Sequence, residues 1–428
     1  MSSPAPWSLP LPNRRTDSRS APPPPGRPPR PASALREPGH SAASLSAADP
    51  VVTDLLTDWF LATARPLPWR TDAPAPPHPA APSPIRPRNP WHALVSEAML
   101  QQTQVSRVVE YFHRFIARFP APASLAAAAE ADVLALWSGL GYYRRARNLR
   151  LAAQAIVERH NGQVPSQVEE LRELPGVGPY TAGAIASIVF GQPVPLVDGN
   201  VTRVLLRLHG QDLDPAAKAT TQWTWAAAGR LAAAAERPGP FNEGLMELGA
   251  TVCLPSPAAP RCDACPLQSR CAAFATGTQS TIPRPKPAKT TSTIHCAAVV
   301  ITARNGRIRL VRRPAGGLWG GLWQVPTVEV AEPAPQPDLK AVLTLLTVHG
   351  GDPASLTPAG QFVHQTTHRT LRFTVYTAAA VRCHRKAAAA QWADPARLGE
   401  FGVSSATRRV LGMAAQPPLF SATPHQKA

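Results

Sequence analysis

Between residues 91 and 252 apolar side chains recur three and four positions apart, and beyond residue 293 they recur two apart. A chain that changes period this way must build a helical body first and a sheet afterwards. The spacing predicts helices over about 91–118, 124–136, 144–160, 167–173, 180–190, 200–209, 215–236 and 242–252, with Pro and Gly at the joins and no strand among them. An earlier helix would use Val51, Val52, Leu55, Leu56 and Trp59 as its apolar face. In the second part Ala297-Val299-Ile301, Ile308-Leu310 and Leu371-Phe373-Val375 alternate as strands, with one helical stretch at 339–348.

Proline marks the borders. Of 51 prolines, many fall in 1–46, in 72–90 and in 276–292, where helix and ladder hydrogen bonds cannot be built. The expected organisation is a disordered Pro/Arg-rich tail at 1–46, a helical domain at 47–252, a cysteine loop at 253–275, a linker at 276–292, a smaller α/β domain at 293–418 and a frayed end at 419–428. No apolar run approaches the roughly 18–20 residues that span a bilayer, so no membrane is expected. Residues 1–50 hold no apolar segment of a secretory signal. Six cysteines in 428 residues are too few for a disulfide scaffold. The 44 Lys+Arg against 27 Asp+Glu give a net charge of +17, which suits a polyanionic partner. Only six of the 44 are lysine, however, so compositional bias explains the excess as well.

The sharpest local feature is Leu174-Pro175-Gly176-Val177-Gly178-Pro179-Tyr180-Thr181-Ala182-Gly183. Ser166 and Glu169 have capping-box spacing for the short helix before it, and Pro179 suits the first turn of the helix after it. Gly176 and Gly178 permit positive φ and close approach of a phosphate to backbone N–H groups at a helix start. An ordinary tight turn is the plain alternative. Two short amphipathic helices around Leu-Pro-Gly-Val-Gly favour DNA-backbone binding, and the segment resembles the helix-hairpin-helix of base-excision DNA glycosylases.

Cys253, Cys262, Cys265 and Cys271 follow with spacing C-x8-C-x2-C-x5-C. Four thiolates this close suit a shared metal, and their spacing accepts zinc or an iron–sulfur cluster alike. Cys296 and Cys383 stand alone and read as structural. Two carboxylates are less informative by themselves. Glu97 shares a polar helix face with Gln101 and Gln104, where a glutamate is normally solvated; Asp198 precedes a helix, where an aspartate is normally a cap.

Longer segments carry a closer resemblance. Leu94-Val95-Ser96-Glu97-Ala98-Met99-Leu100-Gln101-Gln102-Thr103-Gln104-Val105, Trp137-Ser138-Gly139-Leu140-Gly141-Tyr142-Tyr143-Arg144-Arg145-Ala146-Arg147-Asn148-Leu149, Val197-Asp198-Gly199-Asn200-Val201 and Phe241-Asn242-Glu243 occur in order with the hairpin and the cysteines. Together they resemble the MutY family of adenine DNA glycosylases, over residues 51 to 275. The resemblance implies removal of adenine mispaired with 8-oxoguanine or guanine in duplex DNA. It implies Glu97 as general acid toward adenine N7, Asp198 as the anion facing the sugar cation, and Asn200 beside it. It implies Tyr180 covering Glu97, and Arg70 and Glu243 lining the adenine pocket. Tyr142 matches an aromatic wedge; Gln102, Thr103 and Leu140 match positions at the DNA. The cysteines would then hold a [4Fe–4S] cluster, although the family's first gap is typically six residues and here is eight.

Endonuclease III-type enzymes share the hairpin, the cluster and the aspartate but cut the backbone through a lysine Schiff base. Tyr180 occupies the lysine's place, and a phenol forms no imine, so a monofunctional enzyme is expected. A DNA-binding protein without chemistry is the other alternative, and intact Glu97, Asp198 and Tyr180 argue against it. Gly317-Leu318-Trp319-Gly320-Gly321-Leu322-Trp323-Gln324-Val325-Pro326 resembles the family's Nudix-like C-terminal domain. A Nudix hydrolase would need a glutamate-rich Mg²⁺ helix, and none follows residue 290. The family's lesion-reading Phe-Ser-His loop corresponds to Thr366-Thr367-His368, which keeps a hydroxyl and loses an aromatic ring. A monomer in the cytoplasm of a bacterial-type cell, associated with the nucleoid, is expected.

Overall fold

The computed structural model describes residues 49–70, 88–284, 291–331, 339–381 and 389–415. The expected tails, most of the 72–90 loop, part of the linker and Cys383 lie outside them. All of these described residues fall in one compact unit.

The helical part runs α1 (Pro50–Thr63), α2 (Pro90–Leu100), α3 (Val105–Arg118), α4 (Pro122–Ala126), α5 (Glu130–Leu136), α6 (Arg144–Arg159), α7 (Val168–Glu173), α8 (Pro179–Ile188), α9 (Gly199–Leu208), α10 (Lys218–Ala234), α11 (Pro238–Thr251) and α12 (Ala272–Ala275). Two large apolar cores and a small one at Leu206, Ala273 and Ile282 fill it. One gathers Trp91, Leu94, Val95, Met99, Phe112, Phe115, Phe119, Trp137 and Ile156. The other gathers Val52, Leu56, Val201, Leu205, Leu231, Phe241, Leu245 and Leu248. Helix α8 lies between them, giving Ala182, Ile185 and Ala186 to the first and Ala184 to the second. That placement brings α2, α9 and α11 to a common seam.

Several expected elements change. The helix expected at 91–118 is two helices, broken at Gln101–Gln104 with Gln102 at φ 57°. Gln101 and Gln104 therefore do not extend the face of Glu97. The stretch 124–136 is likewise broken into α4 and α5. The buried face of α1 is Val52, Leu56 and Phe60, while Val51 and Leu55 are exposed. Gln167, not Ser166, is the N-cap of α7, and no side chain caps it; the Ser166 carbonyl instead accepts from Gln192 Nε2 at 2.9 Å. In the hairpin only Gly176 has positive φ, +82°, and a Cβ there would strike Asn148. Gly178 is extended and caps α8, with Pro179 in its first turn.

The C-terminal part is a seven-stranded sheet: β1 (Ser292–Thr302), β2 (Ile308–Arg312), β3 (Trp323–Gln324), β4 (Thr327–Ala331), β5 (Thr357–Gln365), β6 (Arg369–Ala379) and β7 (Ala390–Ala393). The main order is β3-β2-β1-β6-β5, with β4 on β1 and β7 on β2. Among the described strands, only β1 and β6 pair with each other in parallel. Strand β1 is covered on both faces. Cys296, Ala298 and Val300 meet α14 (Ser405–Ala414) through Ala406 and Val410; Ala297, Val299 and Ile301 meet α13 (Leu339–His349) through Val342 and Leu346. From the apolar period, no element is expected at 405–414. Its run of Ser, Thr and Arg hides a helix whose start Ser404 caps by accepting from Thr407 N at 3.1 Å.

The two parts are joined by specific contacts. Leu322 enters the first helical core. The Val403 carbonyl accepts from Ser138 Oγ at 2.6 Å and from the Tyr143 hydroxyl at 3.0 Å, and Arg408 donates to Ser138 Oγ at 3.1 Å.

Candidate active site

Helix α2 starts firmly. Asn89 accepts from the backbone N–H groups of Trp91 and His92 at 2.9 and 3.1 Å, and Pro90 occupies the first turn. Its buried residues Trp91, Leu94, Val95 and Met99 anchor one side. The other side turns Glu97 into a cleft of about 970 Å³ on the seam between the cores, shared with Arg70, Tyr180, Asp198, Asn200 and Glu243.

Burial pushes the Glu97 carboxyl up to about 7; a hydrogen bond with Tyr180 opposes this, and the nearby Asp198 and Glu243 add to it. Tyr180 is itself raised well above the ordinary phenol range, first by burial and then by Glu97 and Asp198. Its hydroxyl reaches Met246 Sδ at 3.0 Å on α11. A phenol has one proton to give. With Glu97 protonated, the carboxyl can donate to the phenol while the phenol faces Met246; with Glu97 ionised, the phenol is needed at the carboxylate.

Asp198 is both a cap and a cleft residue. Its Oδ1 accepts from Val201 N at 2.7 Å and starts α9; its Oδ2 accepts from Asn200 Nδ2 at 3.0 Å. Arg203 fixes Asn200, donating to its Oδ1 at 3.0 Å and to the carbonyls of Gly249 and Cys253 at 2.8 Å each. Gly249 is needed there, because a Cβ would come within 2.7 Å of the Asn200 Cβ.

The floor is an ion-pair chain. Arg70 donates to Glu243 and to Glu247, each at 3.0 Å; Arg65 donates to Glu247 at 2.5 and 3.0 Å, and Arg88 to Glu243 at 2.6 Å. Glu243 and Glu247 are 6% and 2% exposed, so these charges are held by one another. Sequence reasoning named Arg70 and Glu243 and missed Arg65, Arg88 and Glu247. The four-residue spacing of Glu243 and Glu247 on one helix face was the available signal.

Cys253, Cys262, Cys265 and Cys271 line one cavity of about 440 Å³ with Leu208, Leu248, Val252 and Phe274. Arg207 stitches it to α9, donating to Cys253 Sγ at 3.2 Å and to the Leu254 carbonyl at 2.8 Å. Among the described residues, no three His, Cys, Asp or Glu side chains are placed to hold a single metal ion.

The cleft between the two parts, about 1590 Å³, brings Gln102 and Tyr142 opposite Thr366 and Thr367. Thr366 closes the β5–β6 turn, its hydroxyl accepting from Arg369 N at 3.1 Å; Thr367 reaches Tyr142; His368 is exposed. Thr103 lines the first cleft instead. Leu140 is only 5% exposed and packs its side chain in the helical core. Of the three arginines beside it, Arg144 is exposed, whereas Arg145 is buried and Arg147 pairs with Glu130 at 3.0 Å and donates to the Gly320 carbonyl.

The HhH-GPD superfamily of base excision DNA repair proteins matches residues 95–228, and the NUDIX domain family matches 297–413. The chain is 36% identical over 405 residues to adenine DNA glycosylase of Mus musculus, covering 84% of this chain and 76% of that protein. This chain belongs to the adenine DNA glycosylase family. The Homo sapiens glycosylase is 37% identical over 75% of this chain and 65% of its own length, so the chain spans slightly less than two thirds of it. The Mycobacterium tuberculosis glycosylase is 42% identical over 50% of this chain and 65% of its own. The match to the helical family takes in Glu97, Tyr180, Asp198 and Asn200, and the NUDIX match takes in Thr366, Thr367 and His368.

Proposed function

We propose that this glycosylase flips adenine out of duplex DNA, where it lies opposite 8-oxoguanine or guanine, and hydrolyses its N-glycosidic bond without cutting the backbone. The observation that carries the reading is Glu97: a carboxyl held near 7 by burial, in a cleft that also contains a second carboxylate, Asp198. A base in the stack is out of reach, so the adenine must leave it to enter this cleft. Near neutral pH Glu97 is protonated in a substantial fraction of molecules and gives its proton to the departing purine. The bond then breaks with positive charge on the sugar. Asp198 faces that cation with Oδ2, oriented by Asn200 and Arg203, and water completes the hydrolysis. Arg70 and Glu243 present donors and acceptors to the base edge. The hairpin N–H groups at Gly176 and Gly178 hold the backbone phosphates. Tyr142 stacks in the gap left by the flipped base, with Gln102, Thr103 and the Thr366-Thr367-His368 turn toward the opposite strand.

The four cysteines are proposed to hold a [4Fe–4S] cluster. All four line one cavity, and four thiolates are the usual ligand set of such a cluster. When bound it would staple together the 253–271 loop that carries the exposed Arg261 and Arg270, with Arg207 of α9 donating to Cys253. Thiolate ligands suit a reducing interior, in keeping with a cytoplasmic, nucleoid-associated monomer.

The test uses duplexes with adenine opposite 8-oxoguanine, guanine, cytosine or thymine, scored for abasic sites and, separately, for strand cleavage without alkali. Wild type is expected to make abasic sites opposite the first two. Undiminished activity in Glu97→Gln would overturn the mechanism.

A further inference from the structure

Arg145 is a charge the proposed chemistry does not use. It lies in an Arg-Arg-Ala-Arg run that reads as a solvated DNA-facing face, yet it is only 8% exposed. Its Nη1 donates to the carbonyls of Ala98 and Met99 at 2.9 and 2.6 Å. Its Nη2 donates to Thr103 Oγ1 at 3.0 Å and to the carbonyls of Leu140 and Gly141 at 3.3 and 3.1 Å. The guanidinium carbon stands 5.4 Å from the ring centres of both Trp137 and Tyr142.

None of these five acceptors is a carboxylate. Burying a cation without an anion adds little stability and burial alone lowers its pKa, so an apolar side chain would fill the space at less cost. What the guanidinium supplies is direction, because its planar fork fixes several N–H vectors at once. The acceptors come from three places: the end of α2 just after Glu97, the Gln101–Gln104 turn, and the Leu140–Tyr142 turn. Both turns hold a non-glycine residue at positive φ, Gln102 at 57° and Tyr142 at 46°. Such conformations persist only where the surroundings over-determine them. Both residues line the cleft opposite Thr366 and Thr367.

We propose that Arg145 is the positioning residue that sets the two turns against each other and against the end of α2, and thereby sets the discrimination of 8-oxoguanine from guanine opposite the adenine. This rests on the function proposed above. The test is single-turnover excision from adenine:8-oxoguanine and adenine:guanine duplexes by the full-length protein as isolated. Wild type, Arg145→Lys and Arg145→Gln are compared, each with its melting temperature and the pH profile of its rate. Lysine keeps the charge and loses the fork; glutamine keeps an amide donor with no charge to bury, so it supplies the test if the lysine variant does not fold. The expected result is that the ratio of the two rates falls about tenfold in either variant, while the midpoint of the pH profile stays at the wild-type value. Equal loss on both duplexes, in step with the melting temperature, would mark a structural bolt and overturn the proposal. So would full retention of the ratio in Arg145→Lys. A wild type inactive on both duplexes would instead overturn the reading of the function, and this one with it.

Discussion

The phenol oxygen of Tyr142 stands 2.5 Å from the Thr367 hydroxyl, across 225 positions of sequence. One residue comes from the turn before α6 and the other from the hairpin joining β5 to β6. The contact closes the cleft between the helical part and the sheet, where DNA is proposed to pass. It is made by two exposed groups, so its worth is at the low end for a hydrogen bond.

Tyr142→Phe and Thr367→Val, with the double variant, are expected to show a coupling of about 0.5 kcal/mol in chemical denaturation. Affinity for lesion-containing DNA should separate the ring from the hydroxyl. Tyr142→Phe keeps the stacking surface and should bind nearly as wild type; Tyr142→Ala should weaken binding by about 1–3 kcal/mol. Equal losses in the two variants would speak against a stacking role.

Glu97 gives a pH signature with a definite sign. The acid must be protonated to act, so the single-turnover rate should be high below pH 7 and fall as pH rises through about 7. Glu97→Gln should lose on the order of 10²- to 10⁴-fold in rate. Stability runs with the same sign. The folded carboxyl binds its proton more tightly than the ordinary value of 4.5, so wild type loses stability as pH rises from 4.5 through 7. Glu97→Gln escapes that loss and should exceed wild type at pH 8 by up to about 3 kcal/mol, with little difference at pH 4. Urea unfolding at the two pH values measures it.

Glu247 is expected to behave in the opposite sense. Burial raises its carboxyl, but Arg65 and Arg70 outweigh that and hold it below the ordinary range. Its contribution is therefore present above pH 4.5 and is lost in acid as the carboxylate protonates. Removing it with Glu247→Ala leaves Arg70, a residue of the cleft wall, without one of its anions. A loss of about 3 kcal/mol at pH 7 is expected in urea unfolding, together with reduced excision. Stability unchanged at pH 7 would show that the buried chain is not held by this carboxylate.

The cysteines make a spectroscopic prediction. The protein purified without oxygen should be brown, with a broad near-visible band and about four irons per chain. Cys265→Ser should lose colour and iron, while Cys296→Ser, buried in the sheet core, should keep both. Colourless wild type carrying one zinc would exclude the cluster.

Tyr180 predicts an absence that can be measured. With no amine at that place, borohydride should trap no stoichiometric covalent complex with abasic DNA. Trapping would assign the protein to the backbone-cutting class.

Much of the site was legible because it is local. The hairpin, the cysteine spacing and the segments around Glu97, Tyr142 and Asp198 are contiguous stretches whose chemistry survives in one dimension. The helices and strands followed from the apolar period, since period is what selects the face that enters a core. Where the reading failed, the missing information was a neighbour. Gln101–Gln104 carries no Pro or Gly, so the break between α2 and α3 had no local sign; contacts such as those from Arg145 hold it. The α14 pattern is weak until a sheet face needs covering.

The sequence by itself therefore determined which residue types stand at which spacing: the hairpin, the four thiols, the two carboxylates, and helix before sheet. Only the tertiary structure decided their states. Glu97 looked like a solvated glutamate and Arg145 like a solvated arginine; Arg145 is buried, and Glu97 is half-buried in a cleft that desolvates its carboxyl. Whether a charge meets water or a wall of protein depends on elements far away in sequence, and that surrounding dielectric and set of partners fixes what the charge can do.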